Sequence, residues 1–227
     1  MMQKIRVIMV KNIRILVLAF GVMFLNTAAT AEVAIGVTAA ATLVEASGYE
    51  RLKTTDSKTS GTYDDHELIP SLWVEATNED LGLTVGLEFI PMEAEVGAGG
   101  NTGDDDAETS GTNTVSVDFK DHKTVYLAKT LPMFDGLYIK AGLSTVTLVT
   151  NDNVSTGAKY GDKSMDGVRV GLGVKRDVGT DWLGKIELEH AQYEGATFYS
   201  TGSDAVTTVD LESFDTTALR FSFGRKF

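Results

Sequence analysis

From Gly167 to Lys175 the chain alternates without exception: Val168, Val170, Leu172 and Val174 stand at even positions, with Gly167, Arg169, Gly171, Gly173 and Lys175 between them. A period of two gathers the four apolar side chains on one face of a β-strand, whereas a helix would spread them around its circumference. The same alternation recurs in Val33 to Leu43 (odd positions apolar), Leu68 to Ala76 (even), Leu81 to Phe89 (odd) and Val115 to Leu131 (odd, interrupted at Asp121 and Lys123). It returns in Leu137 to Val149 (odd), Trp182 to Leu188 (even) and Leu219 to Phe227 (odd). The expectation is an all-β chain of eight strands. Pro70 and Pro91 fall within or beside two of them, where the missing N–H marks a bulge or a strand end.

The connections fall into two length classes. Short turns join strands two and three (Asn78 to Asp80), four and five (Pro132 to Gly136), and six and seven (Asp177 to Asp181). Long polar segments join the rest, near Ser47 to His66, Gly97 to Thr114, Asn151 to Asp166 and Glu194 to Glu212. This order sends every long loop to one end and both termini to the other, as in an eight-stranded antiparallel up-and-down transmembrane β-barrel. Closing the sheet removes its edges, which hydrocarbon demands because unpaired backbone groups find no water there. Ten strands read as eight would widen the lumen.

A soluble lipocalin-like barrel would turn the same valines inward around a ligand. Two features favour the membrane arrangement. The face opposite the apolar one is poor in bulk, with Gly36, Gly82, Gly86, Gly142, Gly171, Gly173 and Gly224, as suits a crowded lumen. That face also carries Glu75, Glu88, Glu187 and Glu189 against Lys140, Arg169, Lys175, Lys185 and Arg220, a near-neutral set in an acidic chain. Buried charges persist when paired, so this is the expected charge network of the barrel interior, with Lys175 and Lys185 placed near Glu187.

The N-terminus supports export. Lys4, Arg6, Lys11 and Arg14 precede an apolar run from Ile15 to Leu25, and the segment closes on Ala29-Thr30-Ala31, a pattern expected of a secretory signal peptide over residues 1–31 with the barrel domain over 32–227. An 11-residue apolar run is short of the roughly 20 residues a spanning helix needs. Cleavage would leave 16 basic and 32 acidic residues, a balance that argues against nucleic acid.

The chain ends Leu219-Arg220-Phe221-Ser222-Phe223-Gly224-Arg225-Lys226-Phe227. This ending resembles the last strand of Gram-negative outer-membrane proteins. Lys123 to Ala128 with Gly136 to Leu143 is similar to a hairpin of small barrels of the OmpA and OmpX type. The resemblance implies that Phe221, Phe223 and Phe227 form a signal for the barrel-assembly machinery, and that lipid and lipopolysaccharide are the surroundings of a monomer. Arg225 departs from the apolar face and is expected to snorkel. Trp182, Phe134, Tyr138 and Phe227 are expected in the periplasmic aromatic girdle.

Signals for chemistry are weak. The absence of Cys removes disulfides, thiolate metal sites and cysteine nucleophiles, and the chain has only three His. Outer-membrane barrel enzymes of similar size include lipid A deacylases, with a His and Ser two apart plus a Glu, and palmitoyl transferases, with His, Asp and Ser in loops; here His190 is followed by Ala191 and Gln192, without the deacylase Ser. His66 beside Asp64 and Asp65, or His122 beside Asp121, could form a dyad, with Ser57, Ser60 and Ser116 as nucleophiles. Asp104 to Glu108 could attract Ca²⁺ but lacks the spacing of a calcium loop. The reading is therefore a non-enzymatic barrel without cofactor or metal, structural or surface-interacting, with a filled lumen and acidic loops. The alternative is a narrow channel or small-solute barrel, which single-channel recording would separate.

Overall fold

The computed structural model describes residues 31–52, 58–103, 111–153, 159–201 and 207–227. The signal-peptide segment, the Asp104 to Glu108 run and Ser57 lie outside the described residues. Ten strand segments follow one another: β1 (Ala31–Leu52), β2 (Lys58–Asn78), β3 (Leu83–Phe89), β4 (Ala94–Gly103), β5 (Gly111–Thr130), β6 (Leu137–Asn153), β7 (Lys163–Asp177), β8 (Trp182–Tyr193), β9 (Ala196–Tyr199) and β10 (Thr207–Lys226). Eight of them close an antiparallel ring in the order β1-β2-β3-β5-β6-β7-β8-β10, with β10 returning to β1. The closing register sets Gly36 opposite Gly224 and Ala40 opposite Arg220. The expected up-and-down barrel is the fold observed.

The strands are much longer than the alternation suggested. β1 runs for 22 residues, β2 for 21 and β10 for 20, where about 9 to 11 cross a bilayer. The segments read as long loops are therefore in large part strand.

Two breaks explain why ten segments make eight barrel strands. β3 pairs with both β2 and β5, but after Ile90 to Glu93 the chain resumes as β4, which pairs with β5 alone. β8 pairs with both β7 and β10, but after Glu194 and Gly195 it resumes as β9, which pairs with β10 alone. Above those breaks the ring divides into two sheets, β2-β1-β10-β9 and β4-β5-β6-β7. Beside the break before β4, Ile90 N–H donates to the His122 carbonyl of β5 at 3.1 Å, which carries the β3–β5 pairing one step further. The seam beside β9 is pinned by Glu194 N–H donating to the Asp166 carbonyl at 2.8 Å, and bridged above by Lys159 and Thr201. Pro91 lies in the first break, and Pro70 lies two residues beyond the last β2–β3 pair, Leu72 with Phe89, so both sit where a strand is an edge. Asp121 adopts φ 54° within a bulge that shifts the β5–β6 register between Lys120 and Lys123, which accounts for the interrupted alternation.

Around the lower ring, Ile35, Val37, Leu87, Val170, Leu172, Ile186, Leu188 and Phe221 are each about half exposed on the outer wall. A continuous apolar belt of this kind is a surface for lipid. Leu81, Met133, Phe134, Val178, Trp182 and Phe227 border it at the end of the short turns and the C-terminus. Tyr138, expected in that girdle, points inward and is buried. Gly82, expected in the lumen, occupies the β2–β3 turn at φ 55°.

Candidate functional site

The alternation that turns valines and leucines outward turns their neighbours inward, so each strand contributes polar side chains to the lumen. Glu75 comes from β2, Glu88 from β3, Lys140 from β6, Arg169 from β7, Glu187 and Glu189 from β8, and Arg220 from β10, all of them buried. Arg220 is the hub. Its Nη1 meets Glu189 Oε1 at 3.0 Å, its Nη2 meets Glu88 Oε1 at 2.5 Å, and its Nε lies 3.4 Å from Glu187 Oε1. Arg169 Nη2 also reaches Glu189 Oε1 at 3.0 Å, and Lys140 Nζ bridges Glu189 Oε2 at 2.5 Å and Glu187. Lower in the lumen Lys185 Nζ pairs with Glu75 Oε2 at 2.8 Å while sitting 3.5 Å above the Trp73 ring.

Neutral donors complete the carboxylates. Tyr126 Oη donates to Glu75 Oε2 at 2.8 Å, and Tyr138 Oη donates to Glu187 Oε2 at 2.9 Å. Arg169 Nη1 donates to Thr124 Oγ1 at 3.2 Å, and Thr124 shares a 2.7 Å hydrogen bond with Ser144. Glycines make room for the aromatic rings: a Cβ at Gly36 or Gly224 would meet Trp73, one at Gly86 would meet Tyr126, and one at Gly173 would meet Tyr138. Four carboxylates and four cations thus form one charge-balanced network.

The fifth base, Lys175, borders the same space as Glu75, Glu187 and Arg220 without pairing with them. Lys175 is half-buried at the mouth beside the short turns, in register with Lys185, and it has no ion pair among the described residues. Lys175 and Lys185 line the same small space as Glu187, but neither pairs with it: Lys185 reaches Glu75 while Lys140 and Arg220 take Glu187. About 20 Å³ of free space remains between Trp73, Glu75, Tyr126, Lys185 and Arg220, roughly room for one water.

Above the charges lies a feature the sequence reading missed. Val44, Ile69, Ile90, Phe119, Val146, Leu148, Met165, Tyr193, Phe198 and Phe214 are buried against one another inside the upper barrel. The Phe119 and Phe214 rings meet edge to face at 5.5 Å, and Tyr193 packs on Phe214 at 5.5 Å. The signal was present as a change of parity. On β6 the apolar positions are odd through Leu143 and then even at Val146 and Leu148, and on β1 the odd series to Leu43 gives way to Val44.

Among the described residues the candidate catalytic side chains do not assemble. Asp65 Oδ1 accepts from the backbone N–H of His66, not from its ring, and Tyr63 Oη donates to Asp65 Oδ2 at 2.7 Å, which lowers the pKa of that exposed carboxyl. His122 is buried with its Nε2 3.2 Å from Tyr193 Oη, while Asp121 is exposed. His190 is outside the barrel, 3.1 Å from Thr217 Oγ1. Ser60 is exposed and Ser116 half-buried. Among the described residues no three His, Cys, Asp or Glu side chains group as a metal site. Phe221, Phe223 and Phe227 face outward, Phe223 stacks on Trp182 at 5.0 Å, and Arg225 lies over the Phe227 ring.

The sequence matches no protein-family model and no curated protein. Among solved structures, the outer membrane protein OprG from Pseudomonas aeruginosa is similar at 12% identity and TM-score 0.48, covering 85% of this chain and 95% of that one. The outer membrane protein AlkL is similar at 12% identity and TM-score 0.49, covering 87% and 90%. The outer membrane protease OmpT from Escherichia coli is similar at 9% identity and TM-score 0.43, covering 88% and 98%. At these identities the likeness is one of fold.

Proposed function

We propose that this outer-membrane β-barrel works as a closed, structural and surface-interacting barrel that carries no solute and performs no catalysis. The observation that supports this most is the packed interior: charge-balanced ion pairs leave about 20 Å³ among them, an apolar cluster packs above, and the larger space of about 360 Å³ lies at the mouth beside the short turns. The strands that rise beyond the apolar belt carry exposed Asp64 on β2 and Glu45 on β1, an acidic display toward the exterior. On this reading residues 1–31 direct export, Phe221, Phe223 and Phe227 are recognised by the assembly machinery, and the mature monomer rests in lipid and lipopolysaccharide. The test is planar-bilayer recording of refolded protein, with no steady conductance expected, alongside fractionation of cells into outer membrane and periplasm. Steady open-channel current overturns the closed reading, and recovery in the soluble periplasm overturns the membrane reading. Deleting Phe227 should lower assembly and leave export intact.

One feature favours a second reading, entry of a small apolar solute from the side. The seam between β2 and β4 has exposed Leu68 and Met92 at its mouth and buried Ile69, Ile90 and Phe119 behind it. Bridging that seam with an introduced cysteine pair should then abolish uptake of such a solute into intact cells. Uptake indifferent to the bridge removes this reading.

A further inference from the structure

Three buried polar atoms, Ser71 Oγ, His122 Nδ1 and Arg169 Nε, have no hydrogen-bond partner among the described residues. They come from β2, β5 and β7, yet their side chains line one and the same void, between the ion-pair network and the aromatic cluster. Every residue around that void is buried. Its free volume is about 20 Å³, enough for a single water and too little for a solute.

The chemistry of the walls selects the occupant. Arg169 Nε–H can only donate, the Ser71 hydroxyl can donate or accept, and His122 Nδ1 can do either according to the tautomer. A molecule that accepts once and exchanges hydrogen bonds with two amphoteric partners satisfies all three. A halide accepts only, and it would need surplus positive charge. The surrounding cations are already matched by carboxylates: Arg220 and Arg169 share Glu189 at 3.0 Å each, and Arg220 holds Glu88 at 2.5 Å. Leaving buried polar groups unpaired costs about 1 to 3 kcal/mol each, and buried water ordinarily removes that cost through about three hydrogen bonds.

We propose that this void is a binding site for one ordered water, which accepts from Arg169 Nε and hydrogen-bonds to Ser71 Oγ and His122 Nδ1. The water joins strands that no direct side-chain contact among these three atoms links, and it fixes the His122 ring, whose other nitrogen faces Tyr193 Oη at 3.2 Å. Glu88 and Arg220 form a wall of this void and of the space beneath it. The interior is therefore wet up to His122 and dry above it.

The test is diffraction from the intact barrel, crystallised with and without bromide. The expected result is a light-atom peak within about 3.2 Å of at least two of the three atoms, with no anomalous bromide signal. A bromide signal at the site overturns the proposal in favour of an anion, and an empty void overturns it in favour of unpaired groups. In solution, ¹⁷O relaxation of water should report a slowly exchanging molecule in the wild type that is lost in Ser71→Val, which fills the space and removes a partner. A wild-type protein without any slowly exchanging water overturns the proposal without recourse to the variant.

Discussion

Ile139 and Val146 stand on the same strand, and they face opposite solvents. Ile139 is 47% exposed on the outer wall of the lower barrel, whereas Val146 is 1% exposed inside the upper barrel. Below, the exterior meets hydrocarbon and the interior holds charge. Above, the exterior meets water and the interior holds Phe119, Leu148, Met165 and Phe214. The backbone ladder continues through the change because hydrogen bonds between strands are indifferent to which face is polar. What differs is the source of stability. The lower interior depends on each charge having its partner, since an unmatched buried charge is costly. The upper interior depends on apolar area withdrawn from water and on close packing.

Five substitutions can break or sharpen that contrast. Arg220→Ala should do most damage, because Glu88, Glu187 and Glu189 all lose a partner. The loss of unfolding free energy in urea should lie at the upper end of about 3 to 5 kcal/mol, and a loss below about 1 kcal/mol would mean that water already fills the lower lumen. Phe214→Ala tests the other half and should cost about 3 kcal/mol, chiefly by opening the contacts to Phe119 and Tyr193. If the dry cluster is the seal, ion conductance should appear in this variant. Conductance in Arg220→Ala with none in Phe214→Ala would reverse the assignment.

Leu172→Lys places a charge on the lipid belt, where 51% of the side chain is exposed, and should cost about 2 to 3 kcal/mol. Asp64→Lys, on the exposed upper wall, should stay within about 0.5 kcal/mol. Equal effects of the two would deny that the solvent changes between these levels. Lys175→Met should have the smallest effect of all, within about 0.5 kcal/mol, because no carboxylate depends on it. A larger loss would place Lys175 inside the network.

The ring was legible because alternation, short turns and a terminal aromatic strand all describe one closed sheet. Eight of the nine charged positions assigned to the interior meet in the ion-pair network. Their partners were not legible. Neighbouring strands suggested that Lys185 would serve Glu187, but strand tilt carries the contact across the barrel to Glu75. Tilt is a property of closure, and no local pattern reports it. The upper half escaped notice for a different reason. Its outer wall is made of residues such as Thr59, Ser60, Thr62, Asp64 and His66, types that composition assigns to loops, and its apolar residues appear at the opposite parity. Val44 directly after Leu43 was the visible mark of the change.

The chain has two tryptophans, and the barrel sends them to opposite sides of its wall. Trp182 is 43% exposed toward lipid and stacked on Phe223. Trp73 is 3% exposed inside, with its Nε1 donating to the Val37 carbonyl at 3.2 Å and its ring resting on Gly36 and Gly224. Those two glycines belong to the first and last strands, so the bed of Trp73 exists only once the ends of the sheet have met. During refolding from urea into vesicles, the fluorescence of a Trp73→Phe variant follows arrival in the bilayer through Trp182. That of a Trp182→Phe variant follows the moment of closure. The interval between the two signals is the lifetime of the inserted but still open sheet.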